Sequence, residues 1–113
     1  MNIKGGTKLI QEKWLIEDEY KETSIAILQQ NLASLRVKLN INQEEMANII
    51  GVSRQTYYSI ETGKREMTWT TFLAIVFFFE LCEATREMLK ELSVFPIDLY
   101  IRFNDKQNEI YEE

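Results

Sequence analysis

Apolar residues recur at helical spacing through the first third of the chain. From residue 25 to residue 39 they lie three or four positions apart: Ile25, Leu28, Leu32, Leu35 and Leu39. This spacing places them on one face of a helix over about residues 24–39. The stripe covers only about two heptads, so we favour a core helix of a small bundle over a coiled coil.

Three further helices are predicted by residues that cap helix N-termini. Asn42, Ser53 and Thr68 each precede an apolar segment. Glu45 follows Asn42 by three positions, and this pair is typical of a capping box. The predicted helices cover residues 43–50, 54–62 and 69–80.

Two glycines mark the ends of the first two of these helices. Gly51 and Gly63 stand where each helix must stop, and glycine adopts the left-handed C′ conformation at low cost. A three-residue turn, residues 51–53, therefore separates two short helices. Ala47, four residues before Gly51, is small enough to let the second helix cross closely. This pattern predicts a helix-turn-helix.

The two flanks of the chain give less regular patterns. Residues 8–22 fit a helix or a strand interrupted by Asp18, and we favour the helix. Residues 83–93 predict a fifth helix, which Pro96 ends. Residues 97–103 then alternate between apolar and polar, which predicts a short strand. Its expected partner is the N-terminal segment or the same strand of a second subunit.

Composition excludes several kinds of site. The 113 residues include no histidine and one cysteine, Cys82, which excludes histidine-based catalytic sites, multi-cysteine zinc sites and an internal disulfide. No catalytic spacing of carboxylates is present, so we expect neither enzymatic activity nor a cofactor or metal. The single cysteine and the lack of an apolar N-terminal run favour a cytoplasmic protein, and the longest apolar run, residues 72–79, is too short to span a membrane.

Charge is unevenly distributed along the chain. The net charge is −5, but residues 31–66 carry five positive and four negative charges. Residues 67–113 carry four positive and nine negative charges. The whole chain is thus a poor general ligand for polyanions, and any nucleic-acid surface must be local.

One face of the helix at 54–62 carries side chains suited to reading DNA. The polar stripe opposite Tyr57 and Ile60 consists of Arg54, Gln55, Tyr58, Ser59 and Thr62. A helix fits the major groove, where arginine can bond guanine and glutamine can bond adenine in bidentate fashion. Each such pair discriminates between bases by about 1–3 kcal/mol.

Residues 43–65 resemble the Cro/repressor (XRE-type) helix-turn-helix family. The resemblance rests on the run Gln-x-x-x-Ala-x-x-x-Gly-Val-Ser, from Gln43 to Ser53, followed by Ile-Glu-x-Gly-Lys from Ile60 to Lys64. It extends over about residues 28–79. It implies a mainly all-α fold, a five-helix lambda-repressor-like DNA-binding domain.

The resemblance also implies roles for single residues. Arg54 and Gln55 match leading base-reading positions, and Ser59 matches a later one. Gln43 matches a residue that contacts phosphate and braces the recognition helix. Thr62 and Lys64 match positions along the DNA backbone. The full set of expected DNA contacts is Gln43, Ser53, Arg54, Gln55, Tyr58, Ser59, Thr62, Lys64 and Arg65.

Other positions are implied to be structural or depart from the family pattern. Arg36 and Glu61 match an ion pair that ties the first helix to the end of the recognition helix. Tyr57 stands where a smaller aliphatic residue is usual, and Tyr58 adds an aromatic beside the groove face. Glu66 follows the basic pair and reduces the positive charge of that loop.

The apolar run at residues 72–79 with Leu81 exceeds what one monomer core needs. It either lies under the helix at 83–93 or forms a dimer interface, and we favour the dimer. Two helix-turn-helix units would read half-sites about one helical turn (~34 Å) apart. We therefore expect an N-terminal extension (1–22), a DNA-binding domain (23–80, helix-turn-helix 43–62) and a dimerising C-terminal extension (81–113).

The predicted function is a sequence-specific, repressor-like transcriptional regulator that binds double-stranded DNA as a homodimer. The alternative is an antitoxin-like interaction module. There the acidic C-terminal half would hold another protein, and DNA binding would be secondary.

Overall fold

The computed structural model describes residues 9–104, and this part of the chain is built from helices joined by short turns. Its α-helices are α1 (Asp18–Lys38), α2 (Gln43–Ile50), α3 (Arg54–Glu61), α4 (Trp69–Leu81), α5 (Glu83–Leu92) and α6 (Tyr100–Phe103). Two 3-10 helices, Glu12–Trp14 and Ile97–Leu99, lie near the two ends. The all-α fold class and the five predicted helices are confirmed.

Helix α1 forms the centre of the core. Four residues of its apolar stripe are buried as predicted, with Leu28 and Leu32 fully enclosed and Ile25 only 7% exposed, whereas Leu39 follows the helix end and is half-buried. Helices α3, α4 and α5 pack around α1. Burial of a leucine or isoleucine side chain stabilises the fold by about 1.5–3 kcal/mol. The stripe therefore fixes where α3 lies.

The predicted N-caps are present and set where the short helices begin. The Asn42 side chain accepts a hydrogen bond from the Glu45 backbone N–H at 2.7 Å, and the Glu45 carboxylate accepts one from the Asn42 N–H at 2.8 Å. Ser53 and Thr68 each accept a bond from the backbone N–H three residues on, at 3.0 and 3.1 Å. Donors at the helix starts are thus satisfied locally.

The predicted glycine stops are also confirmed. Gly51 has φ +82° and Gly63 has φ +84°, both in the left-handed region. The Val52 N–H bonds the Ala47 carbonyl at 3.0 Å, and the Lys64 N–H bonds the Ser59 carbonyl at 2.9 Å. These bonds run backwards over each glycine and close the helix ends.

Helix α1 begins earlier than its apolar stripe predicts. It starts at Asp18 rather than near residue 24, so it continues across the boundary that we placed between residues 22 and 23. Of the helix that we favoured over residues 8–22, only residues 18–22 are confirmed, because residues 9–17 contain no α-helix and only the 3-10 helix Glu12–Trp14. The strand alternative is wrong, and residue 8 lies outside the described residues. The added turn is held from outside the helix, because the Tyr20 ring packs edge-on against Phe95 and its hydroxyl bonds Asp98.

The predicted strand at residues 97–103 is wrong. These residues form the second 3-10 helix and α6. They do meet the N-terminal segment, but through side chains: the Arg102 guanidinium donates to the Leu15 carbonyl at 2.8 Å. The Phe103 ring stacks on Trp14 with centroids 5.5 Å apart. Phe103 of the alternating apolar set packs inward, whereas Ile101 is 64% exposed, so the period-two pattern does not correspond to one buried face.

An aromatic cluster joins these two ends to the core. It consists of Trp14, Phe103, Phe95, Trp69 and Phe72, with successive ring centroids 5.5, 5.8, 5.2 and 4.8 Å apart. Trp69 and Phe72 are on the first turn of α4, so the cluster anchors both flanking segments on that helix. Within residues 9–104, no helix combines the length and apolarity needed to cross a bilayer.

Candidate nucleic-acid interface

Helix α3 is held through one face by the core. Tyr57 and Ile60 are 0% and 2% exposed, and they fix the inner side of α3 against the rest of the domain. Ala47 of α2 is buried at 2% exposure, as expected for close approach of the two helices. Since close-packed interiors resist displacement, α3 is presented as a rigid element.

The opposite face of α3 points outward. Arg54, Gln55, Tyr58 and Thr62 are exposed, and Ser59 is half-buried. Within the described residues, the side chains of Arg54 and Gln55 form no hydrogen bond or ion pair. Their donors and acceptors are therefore available to a partner molecule.

Four predicted contact residues lie together across α2 and α3. A shallow depression is lined by Gln43, at the start of α2, and by Arg54, Gln55 and Tyr58 of α3. Gln43 is half-buried, whereas Tyr58 is 46% exposed. The depression therefore combines a cation, two amides and an aromatic ring on one open surface.

Two predicted contacts already have structural partners. The Ser53 hydroxyl caps α3 and donates to the Thr56 hydroxyl at 2.9 Å. The Thr62 hydroxyl donates to the Tyr58 carbonyl at 2.8 Å. Because phosphate oxygens only accept hydrogen bonds, either hydroxyl would have to give up its present acceptor to donate to DNA.

The loop after α3 folds back over that helix and carries two exposed cations. The Lys64 ammonium lies 5.8 Å from the centroid of the Tyr58 ring, within cation–π range. The Arg65 guanidinium approaches the Thr56 hydroxyl at 3.4 Å. Glu66, also exposed, follows them. The loop thus places positive charge beside the outer face of α3.

An ion pair ties the end of α3 to α1, as the family resemblance implies. The Arg36 Nε and Nη2 atoms donate to the two carboxylate oxygens of Glu61 at 3.0 and 2.8 Å. The third guanidinium nitrogen donates to the Ile41 carbonyl at 2.9 Å. The two side chains are only 14% and 7% exposed. This bidentate geometry is the strong form of an arginine–carboxylate contact.

The electrostatics of this pair are set by burial and by its neighbours. Burial alone would raise the pKa of Glu61, but Arg36, with smaller help from nearby Tyr57 and Gln43, holds that pKa below its ordinary value. The bond to Glu61 raises the pKa of Arg36. Burial, followed by the Glu61 charge, raises the pKa of Tyr57. The charges of Arg36 and Glu61 both act on the Tyr57 hydroxyl. This hydroxyl nevertheless forms no hydrogen bond of standard geometry within residues 9–104.

Sequence reasoning missed one residue that organises this surface. The Gln29 side chain, on α1, donates from Nε2 to the carbonyls of Ile60 and Arg65, both at 2.7 Å. Gln29 lies 31 and 36 positions before its two acceptors, and it belongs to no capping or turn pattern. No local signal could therefore have revealed the contact.

Comparison with known proteins identifies the segment that carries this surface. Residues 32–76 match the family model for the helix-turn-helix. This segment is similar to the XRE-type helix-turn-helix. No curated protein and no solved structure gave a significant match to the chain.

The helix-turn-helix domain contains every predicted DNA-contact residue. It begins within α1 and ends within α4, so Arg36 and Glu61 also belong to it. Domains of this family are typical of DNA-binding regulators of the XRE type. The aromatic cluster, α5 and α6 lie largely outside the matched residues.

Proposed function

We propose that the protein is a sequence-specific transcriptional regulator of the repressor type, which inserts α3 into the major groove and acts as a homodimer. The observation that carries the proposal is the outer face of α3. Its leading polar side chains have no partner within the described residues, while its inner face is fully packed. A rigid helix with unsatisfied polar side chains suits direct reading of base edges.

Base reading is assigned to the start of α3. Arg54 and Gln55 lie on the first turn and are exposed. In the major groove, the Arg54 guanidinium would hydrogen-bond the edge of a guanine, and the Gln55 amide would hydrogen-bond the edge of an adenine. Tyr58 and Ser59, one turn later, would contact a thymine methyl group or a neighbouring base. These four residues would set the preferred sequence.

Phosphate contacts are assigned to both ends of the helix-turn-helix. Gln43 at the start of α2 and Lys64 with Arg65 in the loop after α3 would hold the DNA backbone. Ser53 and Thr62 would add contacts only after releasing their present acceptors. Each cation that neutralises a phosphate makes affinity fall with salt, with a slope of about −0.9 per contact.

The homodimer is proposed to form through α4. Leu73, Phe77 and Leu81 recur every four residues on this helix and are 38%, 65% and 61% exposed. Helix α5 packs against α4 but leaves this stripe uncovered. A second copy would bury it and would present two α3 helices to two half-sites.

The test is selection of bound sequences from random duplex DNA at one fixed, moderate salt concentration. We expect enrichment of a palindromic site, since a two-fold dimer reads two equivalent half-sites. Absence of enrichment, together with a stable complex with another protein from the native host, would support the antitoxin-like alternative instead.

A variant pair sharpens the test. Arg54→Ala should weaken binding to the selected site by about 1–3 kcal/mol and relax the preference at one base position. Lys90→Ala removes the same charge from an exposed position on α5 and should leave both unchanged. Equal loss by Arg54→Ala on selected and random duplexes would contradict base reading by Arg54.

A further inference from the structure

The carboxamide of Gln29 uses both of its N–H bonds to join two segments of the DNA-binding surface. One bond goes to the Ile60 carbonyl in the last turn of α3, and the other goes to the Arg65 carbonyl in the following loop. Both N–O distances are 2.7 Å. The donor capacity of the amide nitrogen is thereby fully used.

The remaining bonds of this loop run to α3. The backbone N–H groups of Lys64 and Arg65 donate to the Ser59 carbonyl at 2.9 and 3.1 Å, and the Arg65 guanidinium approaches Thr56. Among the hydrogen bonds within residues 9–104, only the one from Gln29 to the Arg65 carbonyl connects this loop to α1. Met67, two residues further on, is 2% exposed and anchors the end of the loop in the core. The Gln29 bond therefore fixes the part of the loop that carries Lys64 and Arg65.

We infer that Gln29 is a positioning residue for phosphate binding: it holds Lys64 and Arg65 where their cations meet the DNA backbone. The inference rests on the proposed function. A loop that is free to move relative to α1 would have to be ordered on binding, which costs affinity. In such a loop, the Lys64 or Arg65 cation, or both, would also no longer be aligned with a DNA phosphate.

Two variants of Gln29 distinguish the effect of its two N–H bonds from the effect of its side-chain volume. Gln29→Met keeps a similar length and removes both donors. Gln29→Glu keeps the shape, but at neutral pH it has no proton to donate and places a carboxylate against two carbonyl oxygens. Gln30→Met is the matched control, because Gln30 is exposed on the next position of α1 and forms no hydrogen bond within the described residues.

The first measurement does not need DNA. Amide hydrogen exchange at Lys64 and Arg65 should accelerate at least about tenfold in Gln29→Met, because their bonds to the Ser59 carbonyl open more often once the loop is no longer tied to α1. Gln29→Glu should accelerate it further, and Gln30→Met should leave it unchanged. Unchanged exchange in both Gln29 variants would overturn the inference.

The second measurement is the salt dependence of binding to the selected duplex. Gln29→Met should reduce the magnitude of the slope by about 1–2, the value expected for one or two lost phosphate contacts, with base preference kept. In a Lys64→Ala/Arg65→Ala background, the same substitution should change affinity by less than about twofold. This non-additive result is the signature of action through the two cations.

Two outcomes would overturn the inference at this stage. One is a fall in affinity with the slope unchanged, which indicates a merely structural role. The other is full additivity with the Lys64→Ala/Arg65→Ala pair. If the wild-type protein binds no duplex at any salt concentration, the proposed function fails, and the exchange experiment still decides whether Gln29 holds the loop.

Discussion

The ion pair between Arg36 and Glu61 gives the sharpest prediction about stability. Arg36→Met removes a guanidinium that holds a carboxylate through two hydrogen bonds and also binds the Ile41 carbonyl. The side chains are 14% and 7% exposed, so Glu61 would be left as a nearly buried charge without its partner. Removing one member of a buried pair costs about 3–5 kcal/mol.

The residual exposure of this pair places our expectation near the lower end, at about 3 kcal/mol. For a domain of this size that corresponds to a fall of about 12 °C in Tm, at roughly 4 °C per kcal/mol. Urea denaturation followed by circular dichroism would measure the free energy of unfolding. The double variant Arg36→Met/Glu61→Leu should recover at least about 1 kcal/mol of the loss, because no unpaired charge remains.

The pH dependence follows from the direction of the Glu61 shift. Its pKa in the folded state is below the ordinary 4.5, so its contribution is present above pH 4.5 and is lost as pH falls through the folded value. In Arg36→Met, only the smaller effects of Tyr57 and Gln43 oppose burial, so the pKa of Glu61 rises relative to its value in the wild type. Protonation of Glu61 therefore removes part of the destabilisation that the unpaired carboxylate causes in this variant.

Both effects shrink the stability difference between wild type and Arg36→Met on acidification from neutral pH to about pH 3. A difference that stays constant over this range would refute the electrostatic account. A loss below about 1 kcal/mol in Arg36→Met would refute the description of the contact as a buried pair.

Three further predictions test other features. If the protein forms the proposed dimer, Phe77→Glu should give a monomer in light scattering, whereas Ile101→Glu, a change at another exposed apolar position, should leave the dimer intact. A dimer that survives Phe77→Glu excludes α4 as the interface. Asn42→Ala should lower the free energy of unfolding by about 1 kcal/mol through loss of the capping box, and Asn48→Ala in the same helix should have little effect. Gly63→Ala should cost about 1–2 kcal/mol from left-handed backbone strain alone, since no atom lies within 4 Å of the added Cβ; a neutral result in chemical denaturation would contradict this.

The elements that could be predicted from sequence are those whose causes are local. The caps at Asn42, Ser53 and Thr68 bond backbone groups three residues away, so a short window of sequence contains both partners. The same holds for the helix ends at Gly51 and Gly63, where a left-handed φ is needed. The exposed and buried faces of α3 follow from helical periodicity alone.

The errors arose where distant contacts decide the local structure. Residues 97–103 have a period-two pattern, but their partners are the Trp14 ring and the Leu15 carbonyl, and neither offers a strand edge. The early start of α1 depends on Tyr20 meeting Phe95 and Asp98, which no local pattern reveals.

Within the candidate site, the family resemblance identified the Arg36–Glu61 tie, because its two positions belong to a recurring pattern. The Gln29 contacts belong to no pattern. They depend on how α1 meets a loop 31 to 36 residues further along the chain.

The aromatic cluster has a practical consequence for spectroscopy. Both tryptophans of the chain, Trp14 and Trp69, belong to it, and neither is on α2 or α3. Intrinsic fluorescence therefore reports on docking of the segments around Trp14 and Phe103 against α4, whereas the far-ultraviolet dichroism signal reports on all helices together. Unfolding curves recorded by these two probes will separate if these segments detach before the helical body melts, and they will superimpose if the whole unit unfolds as one.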